Sequence, residues 1–230
     1  MKRARAVIAL RALMAAALIF APTLSGCAPK PTDYQSIWSK DTTTTATTAT
    51  TTSKPVPLSQ YLESIGVTGQ QVAPDALPDL RVSIPTPAGW SRYTNPRIST
   101  ETFLISKGGK YPTARLVVFR LRGNFDPAEV IKHGNDDAQL FDKFTLLDSS
   151  TKDYNGFPSS RLECSYDDTQ GTRLHSLNQI VIATGSGSSQ PAPDKQRYFV
   201  QLTITSLAEE TVKQSDDIEA ILRGFEVAAK

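Results

Sequence analysis

The spacing of apolar positions changes several times along the chain, and each change predicts an element. Apolar and polar residues alternate in "LRVSIP", which puts Leu80, Val82 and Ile84 on one face of a strand that ends at the proline. Further strands are predicted in "TFLISKG", "ARLVVFRLRG", "TRLHSLNQIVIAT" and "QRYFVQLTITS". The pair Asn155-Gly156 lies between two strand-like runs and predicts a hairpin.

Helical spacing predicts a helix at each end of this region. "PLSQYLESIGV" has Ser59 as its N-cap and ends at Gly66. Its apolar face consists of Leu58, Tyr61, Leu62 and Ile65. A closing amphipathic helix is predicted from about residue 209 to residue 225. Its inward face consists of Val212, Ile218, Ile221, Leu222 and Phe225.

A third helix is predicted in "FDPAEVIKHGNDDAQL", between the strands. Asp126 is its N-cap, Pro127 suits the first helical position, and Glu129 completes a capping box. Runs of strands punctuated by helices indicate the α+β class, in which helices cover a largely antiparallel sheet.

The N-terminal pattern is of another kind. A basic start is followed by the apolar run "ALMAAALIF" and then by small residues, the layout of a secretory signal. Arg11 interrupts the apolar stretch, and the remaining nine residues are too short to cross a hydrocarbon core of about 30 Å. Residues 1–26 are therefore predicted to be a signal peptide.

The tetrapeptide "LSGC" (Leu24, Ser25, Gly26, Cys27) ends that segment and resembles the bacterial lipobox. In a lipobox, a diacylglycerol is attached to the cysteine thiol and a peptidase cuts just before it. Two acyl chains suffice for stable anchoring, whereas one is marginal. Cys27 is therefore predicted to carry a lipid (diacylglycerol and palmitate) on the outer face of the membrane; the alternative is a plain secreted protein.

With Cys27 lipidated, the second cysteine of the chain has no partner for a disulfide. Cys164 lies in the alternating run "SSRLECSY" and is predicted to pack as a small hydrophobic residue. The alternative, a catalytic thiol, requires a neighbouring histidine and a lowered pKa.

A low-complexity segment follows the anchor. Residues 42–52 contain nine threonines and two alanines, which cannot form a core. Residues 27–57 are predicted to be a lipidated N-terminus and disordered stalk, a candidate for O-glycosylation, and residues 58–230 the α+β domain.

The formal charge of +2 includes four basic residues before Cys27 and no acidic one. Removal of the leader leaves 21 basic against 23 acidic residues, about −2. This balance gives no reason to expect nucleic-acid binding.

Catalytic and metal motifs are missing from the sequence. It contains no nucleophile elbow, P-loop or paired-histidine zinc motif. His133 and His175 lack a carboxylate visible nearby in the sequence pattern, and two histidines cannot build a metal site. The pairs Asp136-Asp137 and Asp167-Asp168 are interpreted as solvated charges. No enzyme activity, catalytic residue, metal or cofactor is predicted.

An aromatic and basic cluster follows the first strand. Trp90, Arg92, Tyr93 and Phe103 are the candidate ligand-binding residues, as an aromatic wall beside an apolar groove with a basic group at its mouth. The alternative for Trp90 is core packing at a strand end.

Five blocks carry a family resemblance: "VPLSQYLESIGVTG", "VSIPTPAGW", "YPTARLVVFRL", "YNGFPSSRLECSY" and "KQRYFVQLTITSLAEE". They resemble the mycobacterial lipoproteins of the LpqN/LpqT family, over essentially all of Cys27–Lys230. The resemblance implies a PsbP-like α/β/α sandwich and an exported, lipid-anchored envelope protein without known catalysis, associated with envelope lipid biogenesis and host recognition.

Two functions are therefore expected. The first is a non-catalytic envelope lipoprotein that binds envelope glycolipids, or the proteins that transport lipids or transfer mycolyl groups. The second is a surface-exposed host-interaction factor whose acylated N-terminus is recognised by Toll-like receptors. A Cys27→Ala variant separates the two.

Overall fold

The computed structural model describes residues 55–187 and 195–230. The predicted signal peptide, lipobox and threonine-rich tract lie outside the described residues, as do residues 188–194 of the "GSGSSQPAPD" loop. Within the described part of the chain, no helix is long and apolar enough to span a bilayer.

A large antiparallel sheet forms the centre of the domain. Its strands are β1 (Thr68–Val72), β3 (Ser91–Arg92), β4 (Phe103–Ser106), β5 (Thr113–Arg122), β6 (Asp142–Ser150), β7 (Ser159–Asp167), β8 (Arg173–Thr184) and β9 (Arg197–Leu207). The spatial order is β3-β4-β5-β9-β8-β7-β6. β4 pairs with the first half of β5 and β1 with the second half.

A second sheet of two strands joins distant parts of the chain. β2 (Leu80–Ser83) pairs antiparallel with β10 (Glu226–Ala229). Leu80 and Val82 are buried and alternate with exposed residues, as the sequence predicts. β10 was not predicted, since four residues give almost no periodicity by themselves.

Three short α-helices accompany the sheets: α1 (Leu58–Ser64), α2 (Pro127–Lys132) and α3 (Ser215–Arg223). Single 3-10 segments lie at Pro74–Ala76, Asp137–Leu140 and Ala208–Gln214. The predicted closing helix is thus a 3-10 segment followed by α3, and the prediction that Val212 points inward is wrong, because 85% of this residue is exposed.

The helix starts follow the predictions only in part. Asp126 caps α2 by accepting the Ala128 N–H at 2.9 Å, as predicted. Glu129 accepts instead from Lys132 Nζ, so its half of the capping box is wrong. Ser59 is not a cap either, because α1 begins at Leu58 with Pro57 in the N-cap position, so Ser59 lies inside the helix.

Two apolar cores hold the layers together, one on each face of the large sheet. Leu58 and Leu62 of α1 pack on the strands with Val130 and Ile131 of α2. On the other face, α3, β2 and β10 form the larger core. A smaller cluster around Ala138, Leu162 and Cys164 lies apart from both. Helices on both faces of an antiparallel sheet confirm the predicted α+β class.

The predicted hairpin is present between β6 and β7. Asn155 and Gly156 both adopt positive φ, at 51° and 82°, and Tyr154 and Phe157 form a bridge across them. This geometry is the type I′ pattern that the Asn-Gly pair favours.

Candidate ligand-binding groove

A groove opens where the small sheet meets the edge of the large one. Its volume is about 290 Å³, just below the range of roughly 300–1,000 Å³ typical of small-molecule pockets. Its apolar lining includes Val82, Ile84, Phe103 and Leu116, and its polar lining includes Asp75, Arg92, Thr100 and Glu101. The groove thus has the apolar and polar character that an amphipathic ligand requires.

Strand register builds the apolar wall. Phe103 of β4 lies directly opposite Leu116 of β5, so the two side chains stand on the same face of the sheet. Val82 and Ile84 approach from the small sheet on the other side, because alternate residues of a strand share one face.

Arg92 lies at the groove with its charge over an aromatic ring. Its guanidinium carbon is 4.2 Å from the centre of the Phe103 ring, and Nη2 donates to the Thr102 carbonyl at 3.0 Å. A cation over a ring at an exposed site contributes about 0.5–1 kcal/mol. These two contacts use part of the guanidinium fork, which has five N–H donors in all.

Glu101 supplies the opposite charge. The hydroxyls of Ser99 and Thr100 donate to its Oε2, and the Ser99 bond is the main cause that lowers the pKa of this carboxyl. The carboxylate therefore stays ionised at neutral pH. A cation and an anion both line the groove, together with hydroxyl groups.

The four predicted ligand residues separate into two groups. Arg92 and Phe103 line the groove together. Trp90 belongs to the larger core, and its Nε1 donates to Asp217 Oδ2 at 3.0 Å. Tyr93 is 36% exposed and is not part of the groove lining.

Asp217 explains why Trp90 has a fixed place in the core. Its Oδ2 accepts from Lys107 Nζ at 2.7 Å as well as from the indole. The Lys107 bond, followed by the Trp90 bond, lowers the pKa of Asp217, which stays a charged acceptor. The core-packing alternative therefore describes the position of Trp90.

Sequence reasoning missed Glu101 and Leu116 as groove residues. Leu116 reads only as a core residue of a strand, and Glu101 only as a surface charge. Their proximity depends on which strands become neighbours, and no local pattern of the sequence carries that information.

The interpretation of the aspartate pairs as solvated charges is wrong in detail. Asp136 Oδ2 lies 2.9 Å from His133 Nδ1, while Asp137 Oδ2 accepts the Leu58 N–H at 3.0 Å. Burial is the main cause that raises the pKa of Asp137. In the second pair, Asp167 bonds to Lys143 at 2.6 Å.

Both histidines have a carboxylate partner that the sequence did not reveal. His175 Nε2 lies 2.8 Å from Glu163 Oε1, and His133 also stacks on Tyr61 at 3.8 Å between ring centres. Ser206 faces His175 across the strand pair, but its hydroxyl bonds to Thr211 at 3.0 Å. This arrangement does not activate a nucleophile, which needs a hydrogen bond from hydroxyl to imidazole.

Cys164 is buried in the small cluster, as predicted for a packing residue. Burial raises the pKa of its thiol to about 11, which keeps the thiolate population low at neutral pH. Among the residues that the structure describes, no group of three or more histidine, cysteine, aspartate or glutamate side chains is placed to hold a metal ion.

An antiparallel sheet between helices, with a groove at its edge, defines a small α+β domain. The family model described as "Probable lipoprotein LpqN" matches residues 54–228, which is most of the chain. The chain therefore belongs to the LpqN/LpqT family of lipoproteins, as the sequence predicts.

The relatives agree with this assignment. The chain is 65% identical over 204 residues to the lipoprotein LpqT of Mycobacterium leprae, which covers 89% of each chain. It is 56% identical over 219 residues to LpqT of Mycobacterium tuberculosis, covering 95% of this chain and 94% of the relative.

A solved structure shares the fold. The crystal structure of LpqN, a protein involved in cell envelope biogenesis of Mycobacterium tuberculosis, superposes with a TM-score of 0.58 at 18% identity. The match covers 73% of this chain and 95% of that one. At this identity the likeness shows the fold alone.

Proposed function

We propose that the protein is a non-catalytic, lipid-anchored lipoprotein of the cell envelope whose domain binds amphipathic envelope glycolipids in the groove. The observation that carries the proposal is the pairing of Arg92 with Phe103 beside the apolar wall. The involvement of LpqN in cell envelope biogenesis supports the envelope as the setting.

The size of the groove limits what part of a glycolipid it accepts. About 290 Å³ accommodates one sugar ring or a short stretch of one acyl chain, and not a whole glycolipid. The apolar side chains suit the methylene groups next to the headgroup. Arg92, Thr100 and Glu101 offer donors and acceptors to the hydroxyls of a sugar.

The test is a binding titration of the full chain with a short-chain trehalose ester. Phe103→Ala and Arg92→Gln each remove a lining group, and we expect each to weaken binding about tenfold or more, the equivalent of roughly 1.4 kcal/mol. Tyr93→Ala is the matched control, an exposed aromatic residue close to the groove but not in its lining. The proposal fails if the wild type does not bind, or if Tyr93→Ala weakens binding as much as Phe103→Ala.

The anchor is a separate part of the proposal and rests on the "LSGC" sequence. Cys27 carries the diacylglycerol and palmitate, and holds the domain at the outer face of the membrane. Metabolic labelling with an alkyne fatty acid should label the wild type and leave Cys27→Ala unlabelled. Equal labelling of both would place the lipid elsewhere.

The same sequence motivates a second candidate function, in which the acylated N-terminus is a ligand of host Toll-like receptors. Cys27→Ala should then abolish receptor signalling, while ester binding by the groove persists. Envelope proteins that transport lipids or transfer mycolyl groups are the candidate partners of the groove-bound ligand. Crosslinking from a photoreactive residue at position 93 would identify them.

A further inference from the structure

The groove carries an excess of negative charge. Three of the side chains that line it are charged, namely Asp75, Glu101 and Arg92. Two carboxylates and one guanidinium give a formal charge of −1 to a lining that is otherwise uncharged. Asp75 belongs to the 3-10 segment Pro74–Ala76, whereas Glu101 lies just before β4. The excess of acidic groups therefore arises from two segments that the fold brings to one groove.

Asp75 offers its whole carboxylate to a ligand. Pro74 begins its 3-10 segment, and the Ala76 N–H donates to the Ala73 carbonyl at 3.0 Å, so the backbone that carries Asp75 is closed into a turn. The residue is exposed, and within the described part of the chain its carboxylate makes no hydrogen bond or ion pair. A carboxylate accepts up to about four hydrogen bonds, and all of these positions face solvent or a ligand.

Glu101 is oriented by its neighbours but is not neutralised by them. The hydroxyls of Ser99 and Thr100 both donate to Oε2, and both donors are uncharged. No described residue donates to Oε1. Glu101 therefore presents a fixed carboxylate with one oxygen available to a ligand.

Arg92 does not compensate for these two charges. Its guanidinium lies over the Phe103 ring, and Nη2 donates to the Thr102 carbonyl at 3.0 Å. Among the described residues, it forms no ion pair with Asp75 or with Glu101. The one positive charge of the groove is thus directed to a ring and a carbonyl, and both carboxylates keep their negative charge for whatever enters.

We propose that Asp75 and Glu101 make the groove selective for charge, so that it accepts an uncharged or positively charged headgroup and excludes an anionic one. This inference rests on the proposed function and adds which class of amphipathic ligand the groove takes. The hydroxyls of an uncharged sugar donate to the two carboxylates, and an ammonium group adds Coulomb attraction. An anion brings only acceptors, is repelled by both carboxylates, and loses hydration against the apolar wall.

The selectivity is of the kind that works by repulsion. An apolar wall binds the chain of any amphipathic molecule, whatever headgroup that molecule carries. Groups that disfavour the wrong headgroup then supply the discrimination that the wall lacks. Asp75 and Glu101 are placed to do this at the groove, which would otherwise also admit anionic phospholipids.

The experiment uses three ligands that share one ring and one chain and differ only at the sixth carbon of the ring. They are octyl glucoside (uncharged), octyl glucuronide (anionic) and the 6-amino-6-deoxy derivative of octyl glucoside (cationic). One sugar ring with a short chain suits a groove of about 290 Å³. Calorimetric titration of the full chain, below the micelle concentration of each ligand, should show glucuronide binding at least tenfold weaker than glucoside binding. The amino derivative should bind at least as tightly as the glucoside.

Variants assign the discrimination to the two carboxylates. Asp75→Asn and Glu101→Gln each keep the shape and remove one charge, and each should reduce the ratio of glucoside to glucuronide affinity severalfold. Glu63→Gln is the matched control, because it makes the same change in net charge at an exposed position of α1. That helix packs on the other face of the large sheet from Leu116 of the groove, so the ratio should not change.

Salt separates charge from shape. The Debye length falls from about 8 Å at physiological ionic strength to about 3 Å at roughly 1 M salt. The preference for the glucoside over the glucuronide should therefore shrink at high salt, while glucoside binding itself persists. A preference that does not change with salt would assign the discrimination to the shape of the group at the sixth carbon and contradict the proposal.

The outcomes distinguish this inference from the proposed function. Equal or tighter binding of the glucuronide, lost in Phe103→Ala, would keep the groove as a binding site and overturn its charge selectivity. A ratio that Glu63→Gln changes as much as Asp75→Asn does would likewise overturn it. Failure of all three ligands to bind, or glucoside binding that Phe103→Ala leaves intact, would overturn the proposed function together with this inference.

Discussion

The two faces of strand β9 show how burial and apolar character separate in this domain. On the face toward α3, Val200, Leu202 and Ile204 continue one apolar core. On the other face, Phe199 is followed by Gln201 and Thr203, which are also buried but polar. From Val200 to Ile204 the first face is held by apolar packing, with a side-chain hydrogen bond from Tyr198 to Asp79 at its end, whereas the second face depends on hydrogen bonds between side chains at Gln201 and Thr203. The residues of β9 are therefore buried on both faces, but they are apolar on one face and largely polar on the other.

The largest difference between the faces should come from neighbouring residues of β9. Leu202→Ala removes a fully buried side chain and should lower the free energy of unfolding by about 2–5 kcal/mol. Thr203→Val keeps the shape and removes one hydroxyl, so we expect a loss of about 1 kcal/mol. Urea denaturation of the two variants measures both. Equal losses would contradict the view that apolar packing at Leu202 contributes more than the hydrogen bond at Thr203.

Asn178→Ala sharpens the same comparison on the second face, where Asn178 of β8 lies opposite Thr203 of β9. It leaves Gln201 Nε2 and Thr203 Oγ1 without their shared acceptor, which should cost about 1–3 kcal/mol in the same assay. Leu147→Ala, a truncation on the exposed edge strand β6, serves as the control and should change stability by about 0.5 kcal/mol or less. A neutral effect of Asn178→Ala would mean that the polar network contributes nothing to folding.

The start of helices α1 and α2 offers a smaller test. Asp126→Ala removes a cap that accepts the Ala128 N–H, and should cost about 1 kcal/mol. Ser59→Ala should be nearly neutral, because the Ser59 side chain caps nothing in α1. Thermal melting of both variants measures the stability that each side chain contributes. A larger loss of stability in Ser59→Ala than in Asp126→Ala would contradict the observed caps.

The smallest expected effect is a pH dependence of the folding stability that comes from Asp137, whose carboxyl group accepts the N–H of the first residue of α1. Because burial raises the pKa of Asp137 in the folded state, the folded protein holds this proton more tightly than the unfolded chain does. Stability from this group is therefore complete below the unfolded pKa of about 3.9 and is lost as pH rises through the raised folded pKa. Asp137→Asn should flatten that part of the stability curve, as measured by urea denaturation across the acidic range. An unchanged curve would assign the dependence to other groups.

Elements with a strong local pattern of apolar residues could be predicted from the sequence. Strands that form only by pairing with another strand could not. The long strands β5, β8 and β9 follow from their apolar runs, and the hairpin at Asn155 follows from backbone conformation alone. β1, with the sequence "TGQQV", has no apolar alternation and forms because β5 offers it a pairing edge.

The candidate sites divide in the same way. Arg92 and Phe103 were predicted because they follow the first strand closely, but the sequence could not distinguish them from Trp90, which the Asp217 carboxylate, 127 positions away, holds in the core. Val82 and Leu116 are 34 positions apart in sequence, and only the fold places them in the lining of one groove. Local patterns specify elements, and long-range pairing specifies sites.

The hydrogen bond from the Leu58 N–H to Asp137 has a mechanical consequence. It fastens the first residue of α1 to a point 79 positions further along the chain. A force applied at Leu58 therefore loads two distant segments at once. Leu58 and Leu62 are buried against the large sheet beneath α1, so the helix has to leave its packing before any strand is drawn out. The domain is therefore expected to resist unfolding by a force applied at Leu58.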